Sequence, residues 1–289
     1  MSNSRLVNYK RKFFPLIKSL QTGLLLLTGL AGFMSAQCPV LHVATLLGLA
    51  GSLFLSISGS TVLNMWFDRD IDAVMPRTCN RPLSTGETKP QEALVFGIIL
   101  TTLGTGWAVY LDPFYGLIVF AGFFLDVVVY TMWLKRRTPW SILWGGISGG
   151  MPVLAGRVLA TGQIDWVGIT LAAGVLFWIP THILTFSIRH HEDYQAAGVP
   201  TFPIFYGFHK TRVIIAASSV LAALSLGIAA YGVGLTWGFL RLLAVLSVGL
   251  LFLAIKSLVA PSDKTTFGLF KYASLYMMSA MLLMLLAGF

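Results

Sequence analysis

The fold class is decided by the stretch Leu242-Leu-Ala-Val-Leu-Ser-Val-Gly-Leu-Leu-Phe-Leu-Ala-Ile255, which is apolar on every face of a helix. A transmembrane β-strand would instead alternate polar and apolar residues over a short stretch. A helix that crosses the hydrocarbon core needs about 20 mostly apolar residues, and this stretch is the centre of a longer apolar run. It therefore predicts a membrane-spanning α-helix.

Composition extends this prediction to the whole chain. Hydrophobic residues make up 56% of the 289 residues and charged residues only 11%, which is too little polar surface to cover a soluble domain. The first apolar run is as long as the later ones, so it is interpreted as a span and not as a cleaved signal. We expect one all-α domain over residues 1–289, a polytopic bundle of about nine transmembrane helices. The predicted spans are 14–36, 41–63, 92–111, 113–133, 140–160, 166–188, 212–232, 236–260 and 267–288.

Lys and Arg are distributed unevenly between the two sides of this predicted topology. One side holds 18 of the 20, and the other holds only Arg157 and Arg241. Because positive residues are retained in the cytoplasm, the N-terminus and the two longest polar loops, 64–91 and 189–211, are expected on the cytoplasmic side of a plasma or inner membrane. The net charge of +9 therefore reports topology and contact with anionic lipid, is compatible with an anionic substrate, and does not indicate nucleic acid.

An acidic motif lies where the second span runs into the first long loop: Asn64-Met-Trp-Phe-Asp68-Arg-Asp70-Ile-Asp72. At about 100° per residue, Asn64, Asp68 and Asp72 share one face of a helix, whereas Asp70 points away. Carboxylates one turn apart repel each other unless a cation lies between them, and their hard oxygens suit Mg²⁺. The spacing predicts a metal site at Asn64, Asp68 and Asp72. The alternative is a solvated acidic loop balanced by nearby arginines.

Cationic residues follow the acidic motif. Arg77 and Arg81 come after a helix stop, and a guanidinium group can bind two phosphate oxygens at once. Lys135 opens a run of three adjacent cations at the end of the fourth span. These residues are expected to bind a diphosphate together. Taken singly, each is equally consistent with a positive residue beside lipid headgroups.

A second acidic segment follows the sixth span. This span contains Trp178-Ile-Pro180-Thr-His182, and the loop after it contains Glu192 and Asp193. Both acids face the same side as the first motif, so they are expected to contact substrate, with Asp193 also contributing to the metal site. His182 lies inside an apolar span, where it is expected either to bond a backbone carbonyl freed by Pro180 or to contact substrate.

Three further polar side chains have no partner that the sequence identifies. Asp126 lies within the fourth span, and a buried carboxylate must be paired, protonated or functional. Cys38 and Cys79 fall on opposite sides of the predicted topology, so they are not expected to form a disulfide, and their spacing does not predict a metal site.

Taken in order, these segments resemble the UbiA superfamily of intramembrane prenyltransferases, and within it the heme o synthases, over most of the chain. The family motif N-x-x-x-D-x-x-x-D, followed by K/R-T-x-N-R-P-L, is matched by residues 64–72 and 77–83. The segment Y-T-x-x-L-K-R-x-T-P is matched by residues 130–139 and is followed by a glycine-rich helix. W-x-x-P-H is matched in its spacing by residues 178–182, with the proline one position early, and A-G-V/I-P by residues 197–200.

Two segments depart from the family pattern. The first span reads Lys18-Ser-Leu where the family often has K-P-R, so one cation is missing. A second D-x-x-x-D, present in many members, is replaced by His190-His-Glu192-Asp193-Tyr194. Heme o synthases also depart from that second motif.

The resemblance implies that a farnesyl group is transferred from farnesyl diphosphate to a vinyl carbon of heme b at the membrane, with Mg²⁺ as cofactor. It assigns Asn64, Asp68 and Asp72 to Mg²⁺, and Lys18, Arg77, Arg81 and Lys135 to the diphosphate. Tyr130 would offer a π face to an allylic cation, and His182 is the first candidate for contact with heme.

Other acceptors remain open within the same chemistry: an aromatic quinone precursor, a chlorophyllide-like tetrapyrrole or a lipid alcohol. A membrane transporter is the alternative from another class, although its charges would be expected nearer the midplane of the membrane. The sequence does not predict the oligomeric state or the prenyl chain length.

Overall fold

The computed structural model describes residues 12–37, 42–286 and 288. Within these ranges the protein is an all-helical bundle without strands, which confirms the predicted fold class. Eight of the described helices are long and apolar enough to cross a membrane, and a ninth, Ser19–Met34, is shorter but also apolar. The cations of the first eleven residues and Cys38 lie outside the described residues.

The helices are numbered in chain order. They are α1 (Ser19–Met34), α2 (Val43–Phe67), α3 (Arg69–Val74), α4 (Pro90–Leu111), α5 (Pro113–Phe123), α6 (Ser141–Thr161), α7 (Trp166–Arg189), α8 (His191–Ala196), α9 (Phe202–Val233), α10 (Trp237–Val259) and α11 (Asp263–Leu286). A 3₁₀ turn, Phe14–Ile17, precedes α1, and a π-helix, Phe124–Leu134, continues α5 so that the two cross the membrane as one span.

Most predicted spans agree with the helices to within a few residues, and α9 is the main exception. It begins at Phe202, ten residues before the predicted start. Gly207 interrupts it with φ 76° and ψ 168°, a backbone conformation that favours glycine, so the first turn of α9 is separated from the apolar remainder. Hydropathy marks only the part that follows this break.

The glycine-rich helix α6 packs closely against its neighbours. A Cβ added to Gly156 would lie 1.9 Å from the carbonyl oxygen of Gly29 in α1, and one added to Gly150 would lie 2.8 Å from that of Ala172 in α7. Small residues allow such approaches inside a membrane, where helices associate by packing and not by exclusion from water. The glycines therefore bring α1, α6 and α7 together along the bundle.

Arg157, one of the two cations predicted on the far side, is buried at the end of α6 opposite the acidic motif. Its Nε donates to Asp165 Oδ1 at 2.8 Å, its Nη2 donates to Asp165 Oδ2 at 2.6 Å, and its Nη1 donates to the Ser35 carbonyl at 2.8 Å. The Arg157 guanidinium lowers the pKa of Asp165. These bonds join the ends of α1, α6 and α7, so Arg157 serves the fold.

Candidate active site

The acidic motif spans the junction of α2 and α3. Asp72 N–H donates to the Asp68 carbonyl at 2.8 Å, and Asp68 N–H donates to that of Asn64 at 2.9 Å, so the helical spacing continues across the junction. Asp68 and Asp72 are 6% and 7% exposed, whereas the Asp70 side chain is 63% exposed. Asp68 and Asp72 thus face the bundle and Asp70 faces outward, as the spacing predicts.

Each of the three aspartates is paired with a cation. Lys135 Nζ donates to Asp68, and Arg81 Nη1 donates to Asp72 Oδ2 at 2.6 Å. Arg136 donates to both oxygens of Asp70 at 2.7 Å and lowers the pKa of that carboxyl. Sequence reasoning did not single out Arg136, because its partner is 66 residues away and only the run of cations signalled it.

The π-helix determines where Lys135 lies. An α-helix turns by about 100° per residue, which would put Lys135, nine residues after Asp126, on the opposite face. A π-helix turns by only about 82° per residue, so Lys135 comes within about 20° of Asp126, with Tyr130 also on this side. The Lys135 N–H donates to the Tyr130 carbonyl at 2.8 Å, which is the π-helical pattern. The wider turn thereby directs three polar side chains of one span towards α2.

Asn64 and Asp68 each present an oxygen without a hydrogen bond, although Arg136 Nη2 lies 4.0 Å from that of Asp68. Asn64 Nδ2 donates to Asp126 Oδ2 at 2.8 Å, so Asp126 has the partner that the sequence did not identify. Asn64 Oδ1 and Asp68 Oδ1 are both buried without a hydrogen-bond partner. Amide and carboxylate oxygens are ligands that Mg²⁺ prefers, and these two side chains lie one helical turn apart. No group of three His, Cys, Asp or Glu side chains in the described part of the chain is arranged to hold a metal.

Lys18 adds another cation at the junction of the 3₁₀ turn and α1. Its backbone is left-handed, with φ 44° and ψ 61°, a conformation that is uncommon outside glycine. Burial, together with the charges of Arg81 and Lys135, lowers the pKa of Lys18 to about 8. The ammonium therefore lies among the paired carboxylates and their cations, before the apolar part of α1 begins.

The second acidic segment forms α8, and only one of its two acids, Asp193, contacts a charged residue of the first long loop. Asp193 Oδ2 lies 4.0 Å from Arg77 Nε and 3.4 Å from His190 Nδ1. Burial, followed by the charge of Arg77, lowers the pKa of His190. Glu192 is exposed, and among the described residues it makes no ion pair with the first long loop. Arg77 thus connects the first acidic loop with the second.

A cavity of about 670 Å³ opens beside these charges. Asp126, Tyr130 and Lys135 line its polar part. The rest of its lining is mostly apolar and comes from several spans, including Leu24 of α1 and Met281 of α11. Its volume lies within the range of about 300–1,000 Å³ that is usual for sites that bind small molecules. A charged group and a long apolar chain can therefore be accommodated together.

His182 also lines the cavity, and its ring is held on both faces. Trp178 stacks on one face at 4.9 Å between ring centroids and Phe270 on the other at 4.5 Å. Nδ1 lies 3.2 Å from Ser274 Oγ, so a serine hydroxyl, and not a carbonyl freed by Pro180, is its side-chain partner. The Phe270 backbone also interacts with the ring, so His182 is held by a neighbouring hydroxyl, a backbone group and two aromatic faces.

The sequence of residues 25–282 matches the pattern of the UbiA prenyltransferase family. The chain belongs to this family. The matched range covers nearly all of the nine apolar helices found among the described residues, and the family makes the chain a prenyltransferase and not a transporter.

Relatives within the UbiA family share high identity over long stretches. The chain is 43% identical over 206 residues to a protoheme IX farnesyltransferase of Korarchaeum cryptofilum, covering 71% of this chain and 69% of the relative. It is 36% identical over 279 residues to a protoheme IX farnesyltransferase of Beijerinckia indica, covering 92% of this chain and 84% of the relative.

Solved structures show the same UbiA fold. A digeranylgeranylglyceryl phosphate synthase superimposes with a TM-score of 0.80 at 21% identity, covering 99% of both chains. A UbiA homolog from Archaeoglobus fulgidus bound to GPP and Mg²⁺ superimposes with a TM-score of 0.73 at 15% identity, covering 96% of this chain and 99% of that one. At these identities the likeness establishes the fold alone.

Proposed function

We propose that this prenyltransferase transfers a farnesyl group from farnesyl diphosphate to a vinyl carbon of heme b, with Mg²⁺ bound at the acidic motif. The observation that carries this is the position of Lys135, which pairs with Asp68 of the acidic motif and also lines a mostly apolar cavity. The protoheme IX farnesyltransferases that the chain resembles support the donor and the acceptor.

The ion pairs provide a way to bind a diphosphate without leaving a buried charge alone. Before substrate binds, Lys135 neutralises Asp68 and Arg81 neutralises Asp72. When a diphosphate enters, these cations can turn to its phosphate oxygens while the carboxylates become free for Mg²⁺. Lys18 lies close enough to both pairs to add a further positive charge. Negative groups are thus paired with positive ones both before and after the diphosphate binds.

Asn64 and Asp68 are the residues best placed to hold Mg²⁺, because each has a buried oxygen without a hydrogen bond. Asp72 would join them once Arg81 turns to phosphate, and Asp193 would approach from α8. Bound Mg²⁺ supplies positive charge that stabilises the leaving diphosphate.

The cavity residues act on the prenyl part of the substrate. As the bond between the farnesyl carbon and the diphosphate oxygen breaks, positive charge develops on the allylic carbons. Tyr130 lines the cavity next to Lys135, so its π face would lie beside these allylic carbons. The apolar lining excludes water until the vinyl carbon attacks and the new carbon–carbon bond forms. The positive charge then left on the other vinyl carbon is neutralised by addition of a water molecule, which loses a proton.

The acceptor is assigned to the region around His182. Trp178 and Phe270 hold the imidazole between them, and Ser274 engages Nδ1. The imidazole would then contact heme at the iron or at a propionate.

We also infer that this site faces the cytoplasm from an integral membrane position. The contacts among Lys135, Asp68, Arg77 and Asp193 bring loops that carry most of the positive charge to one end of the bundle. Positive residues are retained on the cytoplasmic side, which supports a cytoplasmic position for the diphosphate site.

The proposal is tested with purified protein supplied with farnesyl diphosphate, Mg²⁺ and heme b, followed by mass analysis of the products. We expect farnesylated heme and free diphosphate, and loss of both when the metal is chelated. Parallel reactions with an aromatic acid and with a lipid alcohol test the other acceptors. Prenylation of either one without any reaction of heme would refute the acceptor, and absence of diphosphate release with every acceptor would refute the reaction.

A further inference from the structure

Asp126 is a partly buried carboxylate within a membrane span, and the proposed reaction leaves it without a role. It lies near the start of the π-helix and lines the polar part of the cavity. Its Oδ2 accepts a hydrogen bond of 2.8 Å from Asn64 Nδ2. The two residues are 62 positions apart, so this contact joins two spans and is not a local feature of either helix.

The contact controls which end of the Asn64 amide faces the acidic motif. Asp126 Oδ2 accepts from the amide nitrogen, so the NH₂ end of Asn64 faces Asp126 and the carbonyl end is turned away from it. Asn64 Oδ1 is accordingly left buried and unbonded, as is Asp68 Oδ1 one turn later. Without Asp126, the amide could rotate by 180° and present a nitrogen that cannot bind a metal.

The chemistry of the amide couples its two ends. A metal at Oδ1 draws electron density from the amide group, which makes Nδ2–H a stronger donor to Asp126. The hydrogen bond in turn makes Oδ1 a better metal ligand. This is the usual arrangement around metal ligands, in which a second group orients the ligand and raises its basicity.

We propose that Asp126 is a positioning residue that holds Asn64 with Oδ1 towards the Mg²⁺ site. This inference rests on the proposed function, because it needs a metal at the acidic motif.

The test measures metal affinity and not turnover. Mn²⁺ is titrated into full-length protein in detergent with inorganic pyrophosphate present, and free Mn²⁺ is followed by electron paramagnetic resonance. Removal of a group that orients a metal ligand lowers metal affinity about 10–100-fold, and we expect a loss of this size for Asp126→Leu. Asp126→Asn keeps the shape of the side chain and an oxygen that can accept from Asn64, so we expect this variant to fold and to lose less affinity. It supplies the measurement if Asp126→Leu does not fold.

Asp112→Asn is the matched control. Asp112 lies at the other end of the same span and caps α5 by accepting from the Tyr115 N–H at 2.7 Å. Asparagine caps a helix as well as aspartate does, so this variant removes the same charge from the same span without disturbing the cap. We expect its Mn²⁺ affinity to equal that of the wild type.

A double-mutant cycle decides whether Asp126 acts through Asn64. In the Asn64→Ala background, Asp126→Leu or Asp126→Asn should cause no further loss of affinity, because there is no amide left to orient. An equal further loss in that background would overturn the inference, and so would unchanged affinity in both Asp126 variants of the otherwise wild-type protein. Asp68→Asn separates this inference from the proposed function: if it leaves Mn²⁺ binding intact, the metal site itself is wrong and the role of Asp126 fails with it.

Discussion

Substitution of the three aspartates of the acidic motif, one at a time, is the sharpest test of the site. Asp68→Asn, Asp70→Asn and Asp72→Asn make the same chemical change at positions that differ mainly in the direction of the side chain. Asp68 and Asp72 are buried towards the bundle, whereas Asp70 is 63% exposed and is bound to Arg136. We expect the first and third variants to lose activity and the second to retain it.

The magnitudes follow from what each side chain contacts. Loss of one group that stabilises developing charge lowers a rate by about 10²–10³-fold, and we expect at least this for Asp68→Asn and Asp72→Asn. An exposed ion pair contributes about 0.2–1 kcal/mol, so even if all of it acted on the transition state, Asp70→Asn would lower the rate by no more than about fivefold. Asparagine can still accept from Lys135 or Arg81, so the folded protein should persist in all three.

The assay is the initial rate of farnesyl transfer over a range of farnesyl diphosphate and Mg²⁺ concentrations, with thermal unfolding of each variant as the control for folding. Added Mg²⁺ should partly restore a variant whose metal affinity is lowered. Equal losses in all three variants would contradict the assignment of one helix face to the metal, because burial would then have no bearing on activity.

Four further outcomes are expected. Lys135→Ala should raise the KM for farnesyl diphosphate at least about tenfold, whereas the exposed Arg137→Ala should leave it unchanged, and equal KM values would remove Lys135 from the site. Because burial and neighbouring cations lower the pKa of Lys18 to about 8, its positive charge is present below that pH and lost above it. Prenyl diphosphate binding should therefore weaken between pH 7 and 9, and Lys18→Arg should abolish that dependence. His182→Ala should lower heme-dependent turnover while leaving metal-dependent diphosphate binding within about twofold, and His190→Ala and His191→Ala, made in parallel, test the neighbouring imidazoles. Arg157→Ala should lower the free energy of unfolding by up to about 3 kcal/mol in thermal or denaturant unfolding without changing KM, since its partners Asp165 and Ser35 lie far from the acidic motif.

The membrane class of the protein and the orientation of its acidic motif follow from local sequence patterns. The apolar run at 242–255 needs no distant partner to require a helix, because backbone groups in lipid must bond within their own segment. The spacing of Asn64, Asp68 and Asp72 is likewise a property of one helix, and the structure keeps it across the α2–α3 junction. Such features are set by residues within a few turns of each other, so sequence alone predicts them.

The partners of these residues were decided only by the tertiary structure. The pairs Asn64–Asp126, Lys135–Asp68 and Arg136–Asp70 join segments more than 60 residues apart. Lys135 reaches its partner because the fourth span widens into a π-helix, a change of register that hydropathy does not reveal, since the residues involved are equally apolar in either helix. Long-range packing selects among such registers and pairings, and for that reason the sequence identified the charged groups of this site while the fold determined which of them meet.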